Sequence, residues 1–360
     1  MKILIDIGHP AHVHLFKNFA LELLIKKHSI LFTCREKEFE KYLLSHYDFI
    51  FRSFGKKFTS KVGKLLGLIK FDFLEYLTAL KFKPNLIMSA GSPYAAHASS
   101  LYKIPHITFE DTFNFEQVRF YKPFTDAILT GDYSHPDLGG KEIRYKGYHE
   151  LAYLHPNYFS PDKTVLEELG IKGSEKYVII RFVSWQATHD AGHKGISFEN
   201  KIKAVNEFKK YAKVFISSES DLPSQLESYR IKIAPNKMHD ALAFASLLFG
   251  ESTTMAEECA MLGVPACIVY KKKTYYTQHL ENYYGLLFNY TLEKNNQQFA
   301  IEKGVELLNT LNLKQEWQKR RKRMLTDKID VTAFLVWFVE NYPESKKIMK
   351  ENPDYQYRFK

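Results

Sequence analysis

The stretch Phe249-Gly250-Glu251-Ser252-Thr253-Thr254-Met255-Ala256-Glu257-Glu258, closing on Met261-Leu262-Gly263-Val264-Pro265, concentrates more chemistry than any other in this 360-residue sequence. An apolar run ends in Gly, small hydroxyl residues open a helical pattern, and a carboxylate follows one turn inside. The first turn of a helix leaves N–H groups unsatisfied and carries partial positive charge, so it attracts anions. Ser252 or Thr253 would cap the helix. The amides and hydroxyls from Gly250 to Thr254 would hold phosphate oxygens, and Glu257 would accept hydrogen bonds from vicinal ribose hydroxyls. Together they suit a nucleoside diphosphate. A plainer account also covers the string, with Ser252 as an ordinary N-cap and Glu257 as a carboxylate favoured near a helix start.

A second group lies near the N-terminus, in Asp6-Ile7-Gly8-His9-Pro10-Ala11-His12-Val13-His14. A neutral imidazole, with an ordinary pKa of about 6.5, serves as a general base at neutral pH. His12 is the candidate for that role, with capping of its own loop as the alternative. His9, His12 and His14 alternate across a bend without carboxylate or cysteine company, a spacing that does not converge on a metal, so none is expected. In Ser89-Ala90-Gly91-Ser92-Pro93-Tyr94 a strand pattern ends in Gly and a helix opens with Pro. The missing side chain at Gly91 would let a sugar or acceptor reach the backbone beside Ser92. The run His106 to Phe109 ends in Glu110 and Asp111, either of which could orient a histidine or take the proton of an acceptor hydroxyl. Asp111 reads equally well as a helix cap.

These groups need elements to hold them. Short apolar runs alternate with helical-period segments, the pattern of parallel sheets with crossover helices. Strands are expected at Lys2–Asp6, Ser29–Thr33, Asp48–Phe51, Asn85–Ser89, His106–Phe109 and Ala127–Thr130, then at Tyr177–Phe182, Lys213–Ser217, Arg230–Ile233, Leu247–Gly250 and Ala266–Tyr270. The segment Leu154 to Asp162, with two prolines, loses all periodicity and reads as a connection between domains. Val331 to Tyr342, VTAFLVWFVENY, reads as a helix apolar enough to demand burial, ended by Pro343. The expected division is an N-terminal Rossmann-like domain over 1–158, a second over 159–330, and a C-terminal helix over 331–360.

The Gly250 to Pro265 string resembles the nucleotide-sugar signature shared by GT-B glycosyltransferases and the non-hydrolysing UDP-GlcNAc 2-epimerases. The first loop, with Gly8 and His12, is similar to the glycine- and histidine-bearing loop of the GlcNAc transferases that make lipid II. Over nearly its full length the chain looks most like an uncharacterised prokaryotic family of GT-B fold with DIGHPAHVHLFKNF-like openings and VENYPES-like endings. The resemblance implies an α/β protein of two Rossmann-like domains facing a cleft, with the C-terminal helix crossing back to the first. It puts the acceptor on the first domain and the nucleotide-sugar donor on the second. It implies that Glu257 holds ribose, that Arg181 and Ser184 neutralise the leaving diphosphate, and that Met238 and His239 lie in the loop that reads the nucleobase. The epimerases carry an acid where this chain has Ser92, which favours transfer over epimerisation. The implied function is a metal-independent glycosyltransferase moving a sugar from a nucleotide donor, a UDP-sugar first, to a glycan or lipid-linked acceptor in surface-polysaccharide or glycolipid synthesis. The nucleotide-sugar is a substrate, and no cofactor is implied. The alternatives are a nucleotide-sugar epimerase or hydrolase, and a non-catalytic nucleotide-sugar-binding scaffold.

Hydrophobic residues at 45% and charged residues at 26% describe an ordinary folded protein and exclude disordered and coiled-coil classes. Net charge is +10, with 28 Phe and 23 Tyr, so an anionic partner is expected. No nucleic-acid reader motif accompanies the charge, which sets nucleic acid aside. From Gly55 to Lys83, seven lysines face only Asp72 and Glu75 and are interleaved with apolar residues, so the segment either lies on an anionic membrane or is a solvated helix face. Three cysteines without CxxC spacing and no long apolar run point to a cytoplasmic protein, peripheral on the inner membrane face if bound there.

Overall fold

The computed structural model describes residues 1–36, 38–56, 58, 61–183 and 195–360. The chain forms two compact units, Met1–Tyr158 with Lys328–Lys360, and Phe159–Asp327.

The first unit runs β1 (Lys2–Ile7), α1 (Pro10–Ile25), β2 (Ser29–Glu36), α2 (Glu40–His46), β3 (Phe51–Lys56), α3 (Lys61–Phe82), β4 (Leu86–Ala90), α4 (Pro93–Tyr102), β5 (His106–Phe109), α5 (Phe115–Tyr121), β6 (Ala127–Gly131), β7 (Glu142–Tyr145) and α6 (Leu151–Leu154). All pairings are parallel, in the order β3-β2-β1-β4-β5-β6-β7. Apolar runs such as Ile3-Leu4-Ile5, fully buried, are what a strand covered on both faces requires. The chain winds outward from β1 to β3, then returns over β1 to reach β4. With right-handed crossovers this puts α1 and α2 on one face of the sheet and α3, α4 and α5 on the other.

The second unit runs α7 (Thr164–Glu168), β8 (Tyr177–Phe182), α8 (Phe198–Phe208), β9 (Lys213–Ser218), α9 (Ser224–Glu227), α10 (Met238–Phe244), β10 (Leu247–Gly250), α11 (Thr253–Leu262), β11 (Ala266–Val269), α12 (Tyr275–His279), β12 (Leu287–Tyr290), α13 (Lys294–Asn309) and α14 (Leu313–Asp327). Its parallel sheet has the order β12-β11-β10-β8-β9. The basic run of α14 is structural in part: Arg320 donates to the Gly285 carbonyl at 2.6 Å and Arg321 to the Met261 carbonyl at 2.5 Å.

The C-terminal helix α15 (Val331–Glu340) packs against α1 and α6, capped by the Asp330 side chain accepting from Ala333 N–H. Its seven buried residues include Phe334, Leu335 and Phe338. The chain end is laced to the exit of β7 by Ile329 N–H to the Lys146 carbonyl, 2.9 Å, and Lys146 N–H to Gln356 Oε1, 2.6 Å.

Two expected strands move. Asp48 adopts a left-handed φ of +55° in the turn that closes α2, so the strand expected at Asp48–Phe51 starts only at Phe51. Arg230–Ile233 makes a single bridge, Arg230 to Ile216, before Pro235 opens a 3-10 turn, and is no strand. β7 and β12 lack the long apolar run that marks the others. Cys34, Cys259 and Cys267 are buried free thiols. Among the described residues no helix is long and apolar enough to cross a membrane.

Gly147 sits where α15 closes on β7, and a Cβ there would lie 2.6 Å from Val331 Cγ2, a branched group with little freedom to yield. Gly147→Ala is expected to lower stability by about 1–3 kcal/mol in urea unfolding, the usual cost of overpacking.

Candidate functional site

In an open parallel sheet, ligands bind beyond the strand C-termini where the winding direction reverses. In the first unit that point lies between β1 and β4, and the sequence candidates Gly8, His9, His12, Gly91 and Ser92 gather around it. Beneath them is a cluster built on Asp6 and Arg35, neither of which was singled out in the sequence. Asp6, on β1, is fully buried and takes a bidentate ion pair from Arg35 at the end of β2, with Nη1 to Oδ1 at 2.6 Å and Nη2 to Oδ2 at 2.9 Å. Arg35 also donates to the Ile7 carbonyl, 3.0 Å, and lies over the Tyr94 ring at 4.6 Å. Ser92 Oγ donates to Asp6, and Thr33 Oγ1 lies 3.1 Å from Asp6 Oδ1 and 3.0 Å from Glu75 Oε1. Burial opposes ionisation of Asp6, but the charge and hydrogen bonds of Arg35 prevail and hold its carboxyl below the ordinary 3.8. Glu75 on α3 is raised well above 4.5 by burial and by the Asp6 charge. An ionisable residue inside a buried-strand pattern, as Asp6 in KILIDI and Arg35 in SILFTCRE, is the signal that would have found the pair.

The three histidines diverge. His9 is the N-cap of α1, its Nδ1 accepting from Ala11 N–H at 3.2 Å. His12 Nδ1 accepts from Gly8 N–H at 3.2 Å, so a neutral His12 ring carries its proton on Nε2 and presents a donor there. His14 is buried between Tyr47 and Tyr153. Among the described residues no group of three or more His, Cys, Asp or Glu is placed to hold a metal ion.

Glu110 and Asp111 follow β5. Glu110 is buried beside Gly91, whose added Cβ would stand 3.7 Å from Oε2. Three donors fix it: Tyr121 Oη at 2.5 Å, Thr112 Oγ1 at 2.8 Å and Phe113 N–H at 2.7 Å. Burial, then the Asp111 charge, raises its pKa against those bonds. Asp111 keeps part of its surface open, yet the protein packed around it desolvates the carboxyl and pushes it up to about 6, against its own and Thr112 backbone N–H groups. Of the two, Asp111 is the one with part of its surface open.

In the second unit the reversal lies between β8 and β10. Gly250 ends β10 with φ +149°, and a Cβ there would collide with the Arg181 carbonyl oxygen of β8, so only Gly fits. Ser252 caps α11, its Oγ accepting from Met255 N–H at 3.2 Å, and Thr253 Oγ1 accepts from Tyr276 Oη at 2.9 Å. Thr254 opens the same turn, and Glu257, one turn on, is buried. Glu251, passed over in the sequence, is fully buried and accepts from Val183 N–H at 2.9 Å and from Ile196 N–H at 2.5 Å. Arg181 spans to β9, donating to Ser217 Oγ at 2.8 Å and Glu219 Oε1 at 2.6 Å, so a phosphate there would share it with Glu219. His239 is held by Glu258, the neighbour of Glu257, at 3.0 Å, and Met238 is the first residue of α10. Ser184 lies outside the described residues.

The chain belongs to the family described as "Protein of unknown function (DUF354)", which matches residues 1–344. It is 25% identical over 289 residues to the uncharacterized protein MJ0665 of Methanocaldococcus jannaschii, covering 76% of this chain and 83% of that one. Among solved structures it is similar to the MnaA–UDP complex of S. aureus (TM-score 0.67, 12% identity, 96% of this chain and 97% of that one). It is also similar to UDP-GlcNAc 2-epimerase of Neisseria meningitidis bound to UDP-GlcNAc (0.65, 16%, 88% and 94%). The spinosyn forosaminyltransferase SpnP is a further structural neighbour (0.65, 14%, 95% and 100%). The fold is therefore GT-B-like, shared by glycosyltransferases and epimerases.

Glu75 keeps its proton in the folded chain and loses it on unfolding once pH exceeds the ordinary 4.5, so stability falls as pH rises from there toward its folded pKa. Asp6 works the other way, its contribution full above 3.8 and lost as pH falls through its lowered folded value. Glu75→Gln, a neutral isostere, is expected to gain stability relative to wild type as pH rises above the ordinary 4.5 in urea unfolding. Arg35→Met, which strands a buried carboxylate, is expected to cost about 3–5 kcal/mol.

Proposed function

We propose that this protein is a glycosyltransferase that binds a nucleotide-sugar, a UDP-sugar first, on its second unit and an acceptor hydroxyl on its first. The observation that carries this reading is the N-terminus of α11, opened by Gly250 and lined by Ser252, Thr253 and Thr254, at the point where the second sheet reverses. Unsatisfied N–H groups and hydroxyls there suit the diphosphate, and Arg181 adds positive charge. Glu257 would take the ribose hydroxyls. Solved structures of the same fold hold UDP and UDP-GlcNAc, which supports the choice of ligand.

In the transfer step the acceptor oxygen bonds to the anomeric carbon while the bond from that carbon to the diphosphate oxygen breaks, its electron pair leaving with the nucleotide. The acceptor proton passes to Asp111, half ionised near pH 6 and fully so above it. His12 contributes a hydrogen bond through Nε2–H, and Glu110 holds the floor beneath Gly91. Epimerisation needs two acid–base groups at the reacting sugar. Ser92, which the resemblance sets at one such position, is committed as N-cap of α4 and as donor to Asp6, which favours transfer.

UDP and UDP-sugars are expected to raise the thermal midpoint, by about 2.7 kcal/mol of stabilisation at a hundredfold excess over Kd. Ser252→Ala and Glu257→Gln should lose most of that shift while remaining folded; a midpoint indifferent to every nucleotide would remove the reading. With donor and acceptor present, the rate of nucleotide release should rise through about pH 6 and level off. Asp111→Asn should lower it by about a hundredfold or more and abolish the inflection.

A further inference from the structure

We propose that the first unit rests on an anionic phospholipid bilayer through the outer surface of α3, α4 and α5. The first observation is that α3 is apolar on its outer side as well as on its inner one. It buries Phe71 and Ala79 together with Glu75 and Thr78, yet its opposite side is apolar too: Ile69, Phe73 and Leu80 are 64%, 59% and 41% exposed, with Leu77 half-buried among them. Positions 69, 73, 77 and 80 form one stripe along a helix. A helix that merely covered a core would carry polar residues on that stripe.

The neighbouring helices extend the same surface. Leu101 near the end of α4 and Phe120 on α5 are 65% and 55% exposed, and Phe115 and Phe124 are exposed beside them. His97 ties the three elements together, with Nδ1 3.0 Å from Asp72 on α3, Nε2 3.0 Å from the Phe120 carbonyl, and its ring edge-on to Phe124 at 4.9 Å. One imidazole thus joins the elements that carry these apolar groups.

Charge selects the partner. Lys70 and Lys81 on α3, Lys103 just after α4, Arg119 on α5 and Lys122 just after it are set against three carboxylates on these helices: Asp72, engaged by His97, Glu75, which is buried, and Glu116. Alongside α5 a groove of about 360 Å³ has an apolar floor of Phe115, Val118 and Leu138 and a rim of Arg119, Lys122 and Lys141. Exposed aromatics between cations are the make-up of a surface that seats in the headgroup region, with aliphatic and aromatic parts in the acyl boundary and cations on phosphates. Two copies of this face would oppose like charges, which disfavours self-association through it. The segment Gly55 to Lys83 named in the sequence thus supplies one helix of three; Lys57 and the side chains of Lys61 and Lys64 lie outside what is described. The proposal stands apart from the nucleotide reading.

The test is co-sedimentation of the full-length protein with phosphatidylcholine vesicles, with and without phosphatidylglycerol. Binding to the anionic vesicles should exceed binding to neutral ones by about tenfold or more and fall with added salt. The double variant Phe73→Ser, Phe120→Ser and the charge variant Arg119→Glu should each lose about tenfold in binding while keeping the wild-type thermal midpoint. Phe299→Ser, which removes an aromatic 53% exposed on the second unit, should bind as wild type. Absence of vesicle binding, equal binding to both vesicles, or unchanged binding by the variants overturns the proposal. So does a concentration-dependent dimer, seen by sedimentation velocity and abolished by Phe73→Ser, which would assign the face to a second copy.

Discussion

The first unit depends on one buried ion pair, Asp6 with Arg35. Both residues are carried by strands at the middle of a parallel sheet, where neither charge meets water, and an isolated charge in such a place is untenable. The bidentate geometry, the Ile7 carbonyl, the Ser92 hydroxyl and the Tyr94 ring together make it tolerable. In doing so they join β1, β2 and the start of α4 at the ends of the strands where the winding reverses. The first loop is built on that floor: a Cβ on Gly8 would stand 3.3 Å from Arg35 Nη2, and the Gly8 amide in turn orients His12. Asp6 also raises Glu75, so the same pair decides which carboxyl below the crevice is ionised.

The second unit solves a parallel problem with backbone instead of an arginine. Glu251 is as deeply buried as Asp6, and its two oxygens are satisfied by the amides of Val183 and Ile196. Both units thus place a buried carboxylate at the reversal point, one locking side chains and the other locking main chain. Gly250 and Gly91 stand next to these anchors, and at Gly250 a side chain would fill space that the neighbouring strand β8 occupies.

Much of this was legible in the sequence because the apolar runs of β1, β4, β5, β8 and β10 are near-continuous and the capping residues Ser92, Ser252 and Asp330 stand directly before their helices. β7 and β12 were not legible, being four residues each and, in β7, charged at two of them. The Glu251 clamp was hidden because its partners are amides some 55 and 68 residues away, which no local pattern announces. The separate destinations of the histidines were not legible either: the sequence spaced them without convergence, but only the geometry sends His9 to a cap, His12 to the Gly8 amide and His14 into the core. The Glu110–Asp111 pair was found as a pair, but only three-dimensional packing separates the locked member from the open one.

The first unit is assembled from two stretches of chain, Met1–Tyr158 and Lys328–Lys360, with the whole second unit inserted between them. During synthesis the second unit can emerge and close while the first still waits for α15, whose apolar face covers α1 and α6. Until α15 leaves the ribosome, an open hydrophobic seam remains on the part of the protein that was made first. Loss of the segment from Lys328 onward, by a premature stop codon or a protease, would therefore strike the fold at its N-terminal end and leave the inserted unit intact.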